Sequence, residues 1–418
     1  MKDFDRLLKQ YAEVIVKVGL NLKQGQNLII GGAYTRGVTP EVAPLVREIA
    51  ACAYQNGARY VDVIWEDPAL RLLRYRLAPR DSFDYLPEWR TNARMDYLRQ
   101  ADAFLTISAD DPDLLAGQDV DLVGREMHAV ARLNKPVRDL VQRNALNRCA
   151  VDAAIPGWAA RIYPEKAPAE QVEALWDAIF RMCRIYQPDP LAAWKEHDRR
   201  LTARAAILTE KAYDAFHYTG PGTDLMVGMP AGAFWKGGGA ESESGIYFIA
   251  NLPTEEVFSM PHRERVDGVI HSSRPLSQGG TLIDDFSLTF ERGRLMRITA
   301  KRGEPVLKQL LETDENAGRL GEISFVPHSS PISSLGTLFC NTLIDENAAS
   351  HLAFGSAYRF SLQKGQMMND VDFLAAGGNL SSVHVDFMVG SGQLDVDGIT
   401  RDGTTEPVMR QGEWAFDI

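Results

Sequence analysis

Apolar positions recur at three- and four-residue spacing over residues 4–20 (FDRLLKQYAEVIVKVGL), which predicts an amphipathic helix. The short run Asn27-Leu28-Ile29-Ile30 stops at Gly31-Gly32, as a buried strand does. Thr39-Pro40 supplies the cap and first position of a second helix over 39–56, closed by Gly57. Residues 60–65 (YVDVIW) are β-branched and aromatic and predict a strand. Further strands are expected over 103–108 (AFLTIS) and 147–154, with helices near 113–133 and 167–185. Strands separated by helices imply βαβ units and a mostly parallel sheet.

This alternation breaks at Tyr186-Gln187-Pro188-Asp189-Pro190, and a polar helix over 191–211 follows. From about residue 213 glycines and short alternating runs take over, as in 225–227, 246–249 and 282–290, with one helix over 304–313. The fold class predicted is α/β. A domain over 1–190 with a mostly parallel sheet is followed by a connecting helix over 191–212 and a strand-rich α+β domain over 213–418. A length of 418 residues fits two or three domains.

Composition narrows the function. With 45 Lys+Arg against 56 Asp+Glu the net charge is −11, which argues against nucleic acid as a partner, because phosphate binding needs a basic face. No apolar run reaches the roughly 18 residues that a membrane helix needs. The charged start Met1-Lys2-Asp3-Phe4-Asp5-Arg6 does not read as a signal peptide. Four scattered cysteines (Cys52, Cys149, Cys183, Cys340) suit a reducing compartment, so a cytoplasmic enzyme is expected.

The familiar phosphate-loop, nucleophile-elbow and zincin motifs are absent. Gly31–Gly37 has the wrong spacing for a dinucleotide loop and reads as a tight strand-to-helix turn. Gly237-Gly238-Gly239 reads as a flexible loop, and Asp395-Val396-Asp397-Gly398 as a hairpin turn rather than a calcium loop. Asn379-Leu380-Ser381 matches a glycosylation acceptor and is expected to be an ordinary loop.

The second half carries more chemistry. Six of the eight histidines lie after residue 210. In residues 382–389 (SVHVDFMV) alternation places Val383, Val385, Phe387 and Val389 on one strand face, with His384 and Asp386 side by side on the other. Two adjacent carboxylates, Glu255-Glu256, follow an apolar strand and Pro253. Glu322 begins another apolar strand, and Asp345, Glu346 and His351 share one short stretch of small residues. Singly, each has a bland reading as a cap or a solvated side chain. Together they supply hard oxygen and borderline imidazole donors for one or two divalent cations.

The runs N-L-P-T-E-E-V-F (251–258), G-E-I-S-F-V-P (321–327), D-E-N-A-A-S-H-L-A-F-G (345–355) and V-H-V-D-F-M-V-G (383–390) resemble the signature segments of the thermophilic metalloaminopeptidase family, of the aminopeptidase T, aminopeptidase S and PepS type. The likeness spans nearly the whole chain. It implies two divalent ions (Co, Zn, Mn or Mg) held by Glu256, Glu322, Glu346, His351, His384 and Asp386, with Tyr358 beside them. It also implies short peptide substrates and a homodimer. No role is assigned to Glu255.

Such a site makes chemical sense. Four carboxylates bring a charge of about −4 to two M²⁺ ions, which polarise the scissile carbonyl and lower the pKa of the attacking water. Glu256 or Glu322 passes the proton to the leaving amine, and the sequence does not choose between them. Tyr358 can donate to the oxyanion. The alternative is a mononuclear Fe(II) ring-cleaving dioxygenase on the same scaffold, built on His351, His384 and Asp386. Glu256 and Glu322 weigh against it, because one iron does not need them. A protein that keeps the metal only for folding is the third reading.

Overall fold

The computed structural model describes residues 3–33, 36–100, 102–278 and 281–418, without the side chain of Gln142, so Tyr34 and Thr35 of the Gly31–Gly37 turn lie outside the described residues. The chain forms two compact units. The first comprises Met1–Glu196 and Gly239–Pro253, and the second His197–Gly238 and Thr254–Ile418. The expected boundary near 190–212 falls in helix Pro190–Lys211. The segment Gly239–Pro253, which belongs to the first unit, has no counterpart in the sequence reading.

In the first unit, apolar strands make a wholly parallel sheet in the order Asn251–Leu252, Arg148–Asp152, Ala103–Ser108, Asn27–Gly31, Tyr60–Val63. The central strands bury Leu28, Ile30, Leu105, Ile107 and Val151, the near-continuous burial expected of a sheet covered on both faces. The helix expected near 113–133 instead runs Val120–Gln142. Asp119 caps it by accepting from the Asp121 and Leu122 amides, and it continues through Pro136. Helices Pro68–Leu77 and Trp89–Arg99 were not predicted. Their buried faces rest on polar contacts that no hydrophobic period reveals: Arg71 and Tyr75 bind Glu126, and buried Arg94 donates to the Gly32 carbonyl.

The second unit stacks two antiparallel sheets. One has five strands in the order His384–Met388, His351–Gly355, Leu320–Phe325, Val257–Ser259, Lys236–Gly237. The other has nine strands among the described residues, with Thr281–Glu291, Val266–His271, Thr223–Gly228, Ala215–Gly220 and Asp395–Ile399 in its middle. Their facing side chains form the core, where Phe325 meets Phe216, Trp235 and Trp414 at ring distances of 5.4, 5.2 and 5.9 Å. Two turn expectations are corrected here. Asp395–Ile399 is a strand, pressed so closely on Tyr213 that a Cβ at Gly398 would lie 2.7 Å from its ring, and the turn falls at 400–404. Gly237 belongs to an edge strand rather than to a flexible loop.

Alternation in the five-stranded sheet separates core from chemistry. Leu320, Ile323, Phe325, Leu352, Phe354 and Phe387 enter the core. Glu322, Ser324, His351, Ala353, His384 and Asp386 occupy the opposite face, and a register shift between Leu320 and Glu322 sets their phase. Two glycines permit the close backbone approach this requires. Gly355 has φ +91°, and a Cβ there would meet the Val383 carbonyl at 2.1 Å; a Cβ at Gly321 would meet the Gly355 carbonyl at 2.4 Å. Gly355→Ala is therefore expected to destabilise the second unit by about 2 kcal/mol or more. Urea unfolding of the metal-free protein measures this, and an unchanged midpoint would contradict the packing described.

Candidate metal centre

Three neighbouring strands build the site by register. Glu322 pairs with Ala353, and Ala353 pairs with Asp386, so two carboxylates lean toward each other over a methyl group. Ser324 pairs with His351 in the adjacent row, and His384 pairs with Gly355. Glu256 enters from the residue preceding strand Val257–Ser259, where Ser324 Oγ donates to its Oε2 at 3.1 Å. His351 Nε2 lies 3.2 Å from Glu256 Oε2 and 3.6 Å from Glu322 Oε1. His384 Nε2 lies 3.5 Å from Glu322 Oε2 and 3.6 Å from Asp386 Oδ1. Two triads result, Glu256/Glu322/His351 and Glu322/His384/Asp386, each with donor atoms within 4.8 Å of one another. Glu322 belongs to both, with one oxygen turned to each imidazole.

Hydrogen bonds fix the imidazole tautomers. His351 Nδ1 donates to the Ala349 carbonyl at 3.1 Å, and His384 Nδ1 donates to the Ser356 carbonyl at 2.7 Å. A carbonyl oxygen can only accept, so both Nδ1 atoms carry hydrogen and both Nε2 atoms are turned to the carboxylates. A neutral Nε2 lone pair facing a carboxylate oxygen is repulsive unless a cation lies between them. Without one, the imidazole takes up a proton instead.

The electrostatics follow from that crowding. Burial raises Glu256, partly offset by His351. Burial and then Asp386 and Glu256 push Glu346 well above the usual carboxylate range. Asp386 is raised by burial, against the pull of His384. Glu322 alone is held low, because its contacts with both imidazoles outweigh its burial. Burial would lower both histidines, but Glu256 and Glu322 drive His351 well up, and Asp386 and Glu322 lift His384 to about 9.

The other expected residues are close by. Glu346 ends the short helix Thr342–Glu346 and interacts with Asp386, though it belongs to neither triad. A cavity of about 50 Å³ lined by Cys340, Glu346, Asp386 and Met388 reaches this corner. Tyr358 lies 4.9 Å from the His384 ring and stacks on Phe360 at 5.0 Å, and burial followed by the Glu322 charge raises its hydroxyl well above the usual value. Buried Glu255 belongs to neither triad, with Oε2 3.5 Å from His197 Nε2 and its amide donating to Asn347 Oδ1 at 2.8 Å. Sequence reasoning passed over Ser324, Asn347 and Ala353. Alternation through Glu322 and His351 could have placed Ser324 and Ala353 on the site face.

Comparison with known proteins identifies the family of the chain. The family model described as thermophilic metalloprotease (M29) matches residues 4–414. The chain belongs to that family. It is 41% identical to aminopeptidase AmpS of Bacillus subtilis over all of both chains. It is 44% identical to aminopeptidase T of Thermus thermophilus over 99% of this chain and all of that one. The solved structure of wild-type AmpT from Thermus thermophilus superposes with a TM-score of 0.93, at 43% identity, covering 99% of this chain and all of that chain. The α/β fold and the resemblance read from the four motif runs are thereby borne out.

The residues fit the divalent metal that the family implies. The donor set combines carboxylate oxygens with imidazole nitrogens whose other ring nitrogen is already engaged. Asp386 Oδ1, buried beside His384, has no hydrogen-bond partner among the described residues. The proton balance gives a test. His384, raised to about 9 from 6.5, contributes stability that is fully present below about pH 6.5 and is lost as pH rises through about 9. The raised carboxyls act with the same sign, and Glu322 alone opposes them. The metal-free melting temperature should therefore fall between pH 6.5 and 9, and saturating divalent ion should flatten the fall. A flat or rising metal-free profile would refute this picture of the cluster.

Proposed function

We propose that this metalloaminopeptidase holds two divalent ions and releases N-terminal amino acids from short peptides. One ion belongs with Glu256, Glu322 and His351, the other with Glu322, His384 and Asp386, and Glu346 adds charge beside Asp386. The observation that carries the reading is the position of Glu322, whose Oε1 faces His351 and whose Oε2 faces His384. The mixed oxygen and nitrogen donors suit Co, Zn, Mn or Mg. Family resemblance extends the reading to a cytoplasmic homodimer.

Two bound ions would supply Lewis-acid polarisation of the scissile carbonyl and a more acidic water. The protein's own groups do the rest. With both Glu322 oxygens committed to the imidazoles, Glu256 is the better proton carrier, since its described contacts run through Oε2. An oxygen not turned to His351 suits a group that accepts a proton and then returns it to the leaving amine. Tyr358, kept protonated by burial and neighbouring carboxylates, is the donor for the developing oxyanion. The acidic lining also gives a free α-amino group acceptors that a blocked N-terminus cannot use.

The dioxygenase alternative is disfavoured by the same geometry. Glu256 and Glu322 stand on the ligand face within reach of His351, and a single iron would leave these carboxylates without a role.

Hydrolysis of aminoacyl-p-nitroanilides, with N-blocked controls, tests the reading on chelator-stripped enzyme resupplied with Co²⁺, Zn²⁺, Mn²⁺ or Mg²⁺. Activity should return with metal and only on free-amino substrates. Cleavage by the stripped enzyme, or equal cleavage of blocked substrates, would overturn it. Tyr358→Phe should lower kcat by about 10²-fold while leaving KM nearly unchanged, and wild-type turnover in that variant would remove Tyr358 from the mechanism.

A further inference from the structure

The Asn379-Leu380-Ser381 run is not an ordinary surface loop. Asn379 is 0% exposed, and its Nδ2 donates to the Gly355 carbonyl at 2.7 Å and the Asn316 carbonyl at 3.0 Å. A buried amide nitrogen engaged twice is not available as a glycosylation acceptor in the folded protein.

Its contacts lead instead to the metal centre. While the side chain grips Gly355, the Asn379 carbonyl accepts from the Ala357 amide at 2.9 Å. Asn379 thus pins the residues on both sides of Ser356. Ser356 itself donates its amide to the Val383 carbonyl at 2.8 Å, and its carbonyl accepts the His384 Nδ1 proton at 2.7 Å. One residue beyond the pinned Ala357 is Tyr358, whose ring packs on His384.

The segment carrying Asn379 is anchored in turn. Asp314 Oδ2 accepts from Ser381 Oγ, the Ser382 amide and Ser382 Oγ at 2.8, 2.8 and 2.7 Å, and Asn316 Nδ2 donates to the Leu380 carbonyl at 3.1 Å. These contacts hold the approach to strand His384–Met388.

We propose that Asn379 is a positioning residue that fixes the Ser356 carbonyl, and through it the orientation and Nδ1–H tautomer of His384. Only an amide serves at this position. Aspartate would turn a carboxylate toward two carbonyl oxygens, and alanine would remove the side-chain donor from both, although the Asn316 carbonyl keeps the Arg319 amide at 3.1 Å. The inference rests on the two-ion reading for its consequence, which is that Asn379 governs one half of the centre and not the other.

The test is a Co²⁺ titration of stripped full-length protein, followed by visible absorbance and equilibrium dialysis, with kcat and KM measured in parallel. Groups that orient a metal-binding histidine typically change affinity by 10–100-fold. Asn379→Ala should bind one cobalt at least about 10-fold more weakly and the other with wild-type affinity, with kcat reduced and KM little changed. Unchanged binding of both ions in folded Asn379→Ala would overturn the proposal, as would equal weakening of both. If that variant does not fold, Asp314→Asn decides: a smaller loss at the same single ion supports the assignment, and wild-type affinity overturns it. Wild-type protein that saturates at one cobalt overturns the two-ion reading. The variants' affinity for that one ion then decides the role of Asn379.

Discussion

The second unit depends on how it deals with negative charge that it has buried. Glu256, Glu322, Glu346 and Asp386 converge at one sheet face, where the imidazoles of His351 and His384 are the positive groups set against them among the described residues. Burying one unpaired carboxylate is costly, and four together are tolerable only with positive charge among them. Glu322 is the pivot, because it faces both imidazoles and is the one member held low. On the two-ion reading, metal completes a structure whose electrostatics are otherwise unfinished. Catalysis would use a charge arrangement that folding already requires.

The backbone delivers these groups with little irregularity. Simple strand alternation sends Phe325, Phe354 and Phe387 into the core and Glu322, His351, His384 and Asp386 to the other face. A one-residue slip in any of the three strands would exchange core for ligand, so the apolar packing of the core also fixes the site. The stacked Phe354 and Phe387 rings, 4.5 Å apart, lock the same two strands that carry the histidines and Asp386.

Much of this was legible in the chain itself. The alternation around His384 and Asp386 gives the right faces, and the βαβ pattern gives the parallel sheet. The grouping of Glu256 with Glu322 and His351 is not local and came from the family resemblance, since nothing in 251–258 names its partners at 321–327 and 345–355. What stayed hidden had weak local pattern. The segment Gly239–Pro253 offers strands of only two residues, too short for periodicity to register. Arg94 and Glu126 mark buried helix faces through polar contacts, which hydrophobic spacing does not detect. Asn379 looked like a surface motif because its partners, Gly355 and Asn316, are 24 and 63 residues away.

Ala353 lies beneath the cluster, between Glu322 and Asp386. A methyl group offers no donor, no acceptor and no charge, so the floor between Glu322 and Asp386 is chemically mute. It cannot favour a small ion over a larger one by reaching up to it, nor hold a water in competition. Discrimination among cations is thus left to the walls, whose long glutamate side chains can yield to different radii. A centre built this way would take its metal from what the cell supplies, and its working ion would be a property of the surroundings as much as of the fold.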